Sequence, residues 1–433
     1  MQHIQGISRH QLQMSSLEDK ITADNPVRFI DAFVNHIDPV KIGFQPKILK
    51  TEGRPNFRLE VFLKLYLYGY LNGVRSSRRL EKECFRNIEV QWLLEAIYPN
   101  YHSIADFRKD NPKALKQLFK LFVSFLKDAE LIAGDTIAID GTKSRAHNSK
   151  KANYNQKKID KHKAYIDAKS QEYLDQLEQN DIQENPVVIK NIQQKIEGLK
   201  QNKIKYELLE EELKNSGEPQ ISTTDADARA LLVQGQVVEV SYNIQAAVDS
   251  KHNLVVATHT INRNDKNALA AIALEVKENL ALETFTVLVD KGYHNGRELH
   301  TCKQNNITTI VAVPEQGKSN ENGTQPEYLV SKFIYNKENN SYTCPEGKTL
   351  TTTGSWHKKT GRTEESGYNF QKYRTPACKT CLVKDLCTSR NGGREIDRSQ
   401  YADAVEENHQ RYKDNPQLYR KRQEINEHIF GTI

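Results

Sequence analysis

Asp140 and Asp290 stand in the same local pattern, a short apolar run that leads into an acid with glycine close behind. In TFTVLVDKGYHN, residues 284–295, Phe285, Val287, Leu288 and Val289 suit a buried strand, and Asp290 falls where that strand would end. In DTIAIDGTK the run from Thr136 to Ile139 leads into Asp140-Gly141 in the same way. Ligands of open α/β sheets sit at the carboxyl ends of strands, although an aspartate there also serves as a turn former or helix cap. Near the C-terminus, Glu424 and Glu427 lie three apart on a helix expected from Pro416, where a salt bridge to a nearby arginine is the plainer use. Carboxylates that converge on one point repel each other and so hold cations, and hard oxygen donors select Mg²⁺ or Mn²⁺. Two such ions about 3.5 to 4 Å apart clamp the attacking and leaving oxygens of an in-line phosphoryl displacement.

A second chemical group is made of cysteines. Cys344, in CPEG, and Cys378, Cys381 and Cys387, in CKTCLVKDLC, could close a tetrahedral zinc site as a staple for a glycine-rich segment; reduced structural cysteines are the alternative. Disulfides are not expected, because the N-terminus MQHIQGISRHQ lacks the apolar core of an export signal and the cytosol keeps thiols reduced. The sequence contains no run of about 18 apolar residues, so a cytoplasmic protein with no membrane partner is expected. Lys and Arg exceed Asp and Glu by 62 to 56, a net charge of +6 that matters only where it clusters. One cluster is Arg75, Arg78, Arg79 and Arg86. The other, residues 143–163, holds eight Lys/Arg, among them Lys143, Arg145, Lys150 and Lys151, against Asp160 alone. Beside a carboxylate, such a run suits a phosphate backbone; a solvated linker is the other reading.

The elements that must position these groups follow from periodicity. Residues 1–133 read as a helical domain that would bind DNA. Helices are expected after Asn25-Pro26 and over Leu59 to Leu71. A short helix follows, capped by Ser76 or Ser77, then one capped by Ser103 and a long amphipathic one from Pro112. The second and third, joined through Asn72-Gly73, resemble a helix-turn-helix in outline. Residues 134–433 hold the strand ending at Asp140, then a basic segment and helical hairpin over 145–220 with Pro186 between the arms. A strand with period two follows from Val237, with Glu239, Ser241, Asn243 and Gln245 on its polar side, and pairs as a hairpin with LVVATHTI. Next come a helix capped by Asn264-Asp265, the strand ending at Asp290, a helix from Asn295-Gly296 and a strand over Thr308 to Val313. Residues 314–400 interrupt this order with the cysteine module. The fold class expected is mixed α/β, a core with the strand and helix order of ribonuclease H, preceded by an all-helical domain.

Several fragments, in order along nearly the whole chain, resemble one family: GRPNFRLEVFLKLYLYGYLNGVRSSRRLEKEC, SIADFRKDN, IAIDGTKSRAHNSKK, TTDADARA, VSYNIQAAVD, LVDKGYHNGREL, the cysteine module and YRKRQEINEHIFGTI. The chain is similar to bacterial insertion-sequence transposases of the DDE class with an InsH-like helical N-terminal domain. The resemblance implies Asp140 and Asp290 as the catalytic aspartates and Glu427, in NEHIFG, as the third acid, together holding two Mg²⁺ or Mn²⁺ ions. Glu424 competes for that role outside the family's motif. Tyr419 and Arg422 match the tyrosine and arginine that precede the glutamate. The implied partners are double-stranded DNA, as the element's terminal inverted repeats and target DNA, and further copies of the chain in a dimer or larger synaptic complex. The implied location is the bacterial cytoplasm, at the nucleoid. The lysine expected seven residues after the glutamate would be residue 434, beyond Ile433, so the chain reads as truncated. That leaves a catalytically impaired protein acting only by binding DNA as the alternative function, and a plain nuclease as a third.

Overall fold

The structure, a computed structural model, describes residues 8, 10–12, 14–45, 55–181, 186–234, 237–314, 324–361 and 367–430. The chain divides into two compact units, Met1–Phe125 and Leu126–Ile433, earlier than the Ala133-Gly134 boundary expected from the sequence. The first unit is helical: α1 (Pro26–His36), α2 (Leu59–Leu71), α3 (Ser77–Arg86), α4 (Ile88–Leu93), α5 (Tyr101–Asp110) and α6 (Pro112–Asp128), whose last residues pass the division. Asn25 caps α1 by accepting from the Val27 N–H. α2 is buried nearly all round, as a helix apolar on every side must be, with Leu63 and Leu65 fully enclosed. At Gly69 it comes so close to the turn before α3 that a Cβ would lie 2.6 Å from the Val74 carbonyl oxygen, which fixes glycine there. The cap of α5 is Asn100, which accepts from the Ser103 N–H; Ser103 lies inside the helix rather than before it. Ser76 precedes α3 without a side-chain capping bond.

The second unit is mixed α/β. Its larger sheet contains β1 (Thr136–Arg145) and, beyond two short strands β2 (Asn153–Tyr154) and β3 (Ile221–Ser222), β4 (Arg229–Gln234), β5 (Val237–Asp249) and β6 (Val255–Ile261). It is completed by β7 (Phe285–Val289) and β8 (Ile307–Val311). The order is β4-β5-β1-β7-β8, with β6 also pairing β5. β5 runs antiparallel to β1, and β7 and β8 follow β1 in parallel. Between β2 and β3 stand α7 (Gln156–Asp181) and α8 (Pro186–Ser216), the expected hairpin. Pro186 is the first residue of α8, where its missing N–H costs nothing. Tyr154, Ile159, Leu209, Leu213 and Ile221 form the hydrophobic cluster at the base of the arms.

α9 (Leu269–Asn279) packs on β5 and β6, and α10 (Gly296–Gln304) on β8. The cysteine module is an antiparallel sheet of β9 (Ile334–Asn336), β10 (Ser341–Thr343), β11 (Thr349–Lys359) and β12 (Tyr368–Arg374), then α11 (Lys384–Cys387) and β13 (Ile396–Ser399). It has its own core of Phe333, Tyr342, Leu350, Tyr373 and Ile396. α12 (Ala402–Asp414) covers β8, where the buried Asn408 both donates to and accepts from the Val311 backbone and so occupies the sheet edge.

α13 (Pro416–Phe430) closes the unit, with Leu418, Tyr419, Ile425 and Ile429 against Ala138, Val248, Leu288 and Ile310 of the sheet. This contact gives a direct expectation. Ile425→Ala should cost about 2–5 kcal/mol, read by guanidinium unfolding, and should speed amide exchange along α13.

Candidate active site

Period two along β1 and β7 decides where the aspartates point. Ala138 and Leu288 face α13, so the residues two further on, Asp140 and Asp290, follow on the same face. β1 and β7 pair in parallel as Thr136 with Thr286, Ile137 with Val287 and Ala138 with Leu288. Past its last paired residues this register leads to Asp140 on β1 and to Asp290 just beyond the end of β7, where the charge of Asp290 reaches the Asp140 carboxyl. Asp290 does follow the end of its strand, as expected. Asp140 does not: β1 runs on to Arg145, paired with β5 throughout, and only its pairing with β7 stops. Gly141 misled the sequence reading, because it is a strand glycine held by a close contact rather than by a turn.

Asp140 Oδ1 accepts from the Gly141 N–H at 2.8 Å, and Oδ2 accepts from Arg422 Nη1 of α13 at 3.1 Å. Burial pushes the Asp140 carboxyl above its ordinary range. The Gly141 N–H and Arg422 pull it down, while the charges of Asp290 and Asp265 push it further up. Asp290 keeps the plainer role as well: it caps the turn Lys291–Tyr293 by accepting from the Gly292 N–H at 2.8 Å. Tyr419 is half-buried, edge-on to Tyr412, and burial raises its phenol. The Arg422 guanidinium lies 5.8 Å from the Tyr419 ring centroid.

Glu427 is not brought to this pair. It is exposed on α13, five residues past Arg422 and therefore about 140° round the helix from it. Glu424 is exposed too. The residue one turn beyond Arg422 on its own face is Asn426, which is 2% exposed and whose side-chain atoms have no hydrogen-bond partner among the described residues. Among the described residues, no three His, Cys, Asp or Glu side chains stand in a metal-holding arrangement.

The basic residues singled out by the sequence have different surroundings. Arg75, Arg78 and Arg79 are exposed at the start of α3, with Arg78 stacked 4.9 Å from the Tyr101 ring centroid. Lys150 and Lys151 are exposed on a single turn after β1. Arg145 pairs with Glu239. Lys143, expected as a DNA contact, is instead largely buried in an ion pair with Asp265 at 3.2 Å.

Sequence reasoning missed that pairing, together with the group around it. It put Asn243 and Gln245 on the solvated side of a half-buried strand, yet both are fully buried along with Ser241. Asp265 was expected to cap a helix; its side chain instead accepts from Asn243 Nδ2 at 2.7 Å and Gln245 Nε2 at 2.9 Å. The available signal was the position of the strand. A strand paired on both edges and covered on both faces cannot leave alternate amides in water, so they need partners.

The four cysteines of the module line one small cavity, with Tyr328, Phe333, Lys348 and Arg394 around them. The Lys348 N–H points at Cys344 Sγ at 3.3 Å. Burial pushes the Cys387 thiol up, Arg394 pulls it down, and Cys378, Cys344 and Cys381 each push it further up. Cys84 and Cys302 lie apart in apolar cores, their thiols pushed up to about 12 by burial.

Two family models match the chain. A transposase domain (DUF772) covers residues 15–110, and a transposase DDE domain covers residues 343–433, from the cysteine module through α13. No curated protein and no solved structure matches.

Proposed function

Taking the chain as what its two matched domains make it, an insertion-sequence DDE transposase, we propose that it binds the ends of its element, cleaves phosphodiester bonds there with divalent metal and joins the freed ends to target DNA. The observation that carries the reading is that Asp140 of β1 and Asp290, just past the end of the parallel neighbour β7, lie within electrostatic reach of each other beside α13. The sheet order supports a ribonuclease H-like core: an antiparallel run of three strands, β6-β5-β1, continued by two parallel strands, β7 and β8.

The donor set fits Mg²⁺ or Mn²⁺, because two carboxylates share one side of the sheet and the charge of Asp290 adds to the burial that raises the proton affinity of Asp140. Asp140 and Asp290 would hold the ions, which supply activation of the attacking oxygen and stabilisation of the leaving one. Glu427 is kept as the third acid on the family pattern alone, with Glu424 as the variant to compare. Arg422 holds the Asp140 carboxylate in place through an ion pair of 3.1 Å. Arg75, Arg78, Arg79, Lys150 and Lys151 are the exposed cations offered to the DNA backbone, and pairing of two DNA ends requires at least a dimer.

The assay is Mg²⁺-dependent cleavage of a plasmid carrying the inverted repeats that flank the gene. Asp290→Asn should lose cleavage and keep the gel shift; cleavage by this variant would sink the assignment. A wild-type chain that binds the repeats and never cuts them would instead be a DNA-binding protein only, and cutting without end preference a plain nuclease.

For the module we propose that Cys344, Cys378, Cys381 and Cys387, which line one cavity but do not stand in a metal-holding arrangement in this structure, draw together around a zinc ion. One zinc per chain by elemental analysis is expected, lost on Cys381→Ser with unfolding of the module; a purified chain with no zinc that still melts cooperatively excludes it.

A further inference from the structure

Behind the aspartate pair, on the opposite face of the sheet, lies a polar group that the proposed reaction does not use. Gly141 and Lys143 of β1 face that side, opposite Gln245 and Asn243 of β5. Asp265 sits over them. Its Oδ1 accepts from Asn243, Gln245 and Lys143, three donors drawn from two strands. It is so near β1 that a Cβ at position 141 would lie 2.8 Å from the same oxygen. Gln245 carries the connection onward, because its Oε1 accepts from the hydroxyl of Tyr293, which is fully buried in the turn that begins at Asp290. One carboxylate thus connects with Lys143 of β1, three residues past Asp140, and, through Gln245, with Tyr293 of the turn after Asp290.

The energetics favour a rigid hub. Buried amide donors left without an acceptor are costly, and an ionised acceptor makes the stronger kind of hydrogen bond. Networks of this kind hold one geometry where a purely apolar contact would tolerate several. The capping role that the sequence position of Asp265 suggests is not used: neither the turn Asp265–Asn267 nor α9 has a side-chain capping bond, and the bonds to the Asp265 carboxylate come from side-chain donors.

We propose that Asp265 is the positioning residue of the aspartate pair, its carboxylate holding the β1 segment that bears Asp140 and, through Gln245 and Tyr293, the turn that begins at Asp290. The inference deepens the proposed function and rests on the reading that Asp140 and Asp290 hold divalent cations.

Two measurements on the full chain separate the positioning role from that reading. The first is amide exchange by mass spectrometry. Asp265→Asn should speed exchange at residues 140–142 and at 291–293 together, while Tyr293→Phe should loosen 291–293 alone and Lys143→Met 140–142 alone. Unchanged exchange in D265N, or a change in one segment only, overturns the proposal. Should D265N fail to fold by circular dichroism, the two partner variants decide: each must loosen its own segment, and neither doing so overturns it. The second is Mn²⁺ titration by calorimetry, where loss of a supporting partner weakens metal affinity by about 10–100-fold. D265N should show that loss, and adding K143M should not restore it. Full restoration would mean that Asp265 only neutralises Lys143, which overturns the hub. If Asp140→Asn binds Mn²⁺ as well as the unaltered chain does, the metal reading falls, and exchange alone still decides whether Asp265 positions the two segments.

Discussion

Asp140→Asn is expected to keep DNA binding, to lower cleavage by the order of 10²- to 10³-fold that removal of one preorganised charge-stabilising group produces, and at neutral pH to raise the melting temperature. The last effect follows from the electrostatics. Burial raises the Asp140 carboxyl above its ordinary range, helped by the charges of Asp290 and Asp265 and opposed by the Gly141 N–H and Arg422. An acid whose folded pKa is raised binds its proton more tightly in the folded chain. It adds stability below its unfolded pKa, near 3.9 for aspartate, and that stability is lost as pH rises through the folded value. Asparagine keeps the shape and an oxygen for Arg422 without the charge, so it escapes that loss. The gain should amount to about 2–4 °C for each kcal/mol recovered and shrink as melts are repeated toward pH 4. A variant that melts below the original chain at pH 7 would show that the Arg422 pair outweighs burial. Such a gain in stability at the expense of activity is the usual signature of a strained functional site.

Gly141→Ala is the second large effect, and its carboxylates are untouched. The new Cβ would lie 2.8 Å from both Asn243 Oδ1 and Asp265 Oδ1, closer than real Cβ atoms come, in a strand paired on its other residues and unable to shift alone. Overpacking of this kind costs about 1–3 kcal/mol. It also displaces the backbone next to Asp140, so cleavage should fall with stability. Gly198→Ala is the internal control. Position 198 lies within α8 with nothing within 4 Å of a Cβ, so alanine there should stabilise by about 0.4–1 kcal/mol. Thermal melts of the two variants side by side give the comparison. Equal effects would mean that the Gly141 contact relaxes at no cost.

The sequence by itself determined much of the element order. The strand ending at Val289, the hairpin β5–β6, the long arms meeting near Pro186 and the helix from Pro416 stand where periodicity and punctuation set them. All of these are local signals, carried by residues three, four or two apart. Asp290 was legible for the same reason, since the end of its strand and the glycine after it lie within five residues.

What only the tertiary structure decided is how many sides of each element are covered. The alternation in VSYNIQAAVD reads as one wet face until β1 and β6 are paired to its edges, and then Asn243 and Gln245 become buried donors in need of Asp265. Lys143, legible as a cation, is spent on that same carboxylate. Glu427 and Arg422 share a helix and a motif, yet the 3.6-residue turn brings Arg422 to Asp140 and leaves Glu427 in solvent. In each case the sequence specified the chemical group, and the partner that set its use lay at least twenty residues away in the chain. Periodicity reports which residues share a face, but it carries no information about what that face meets.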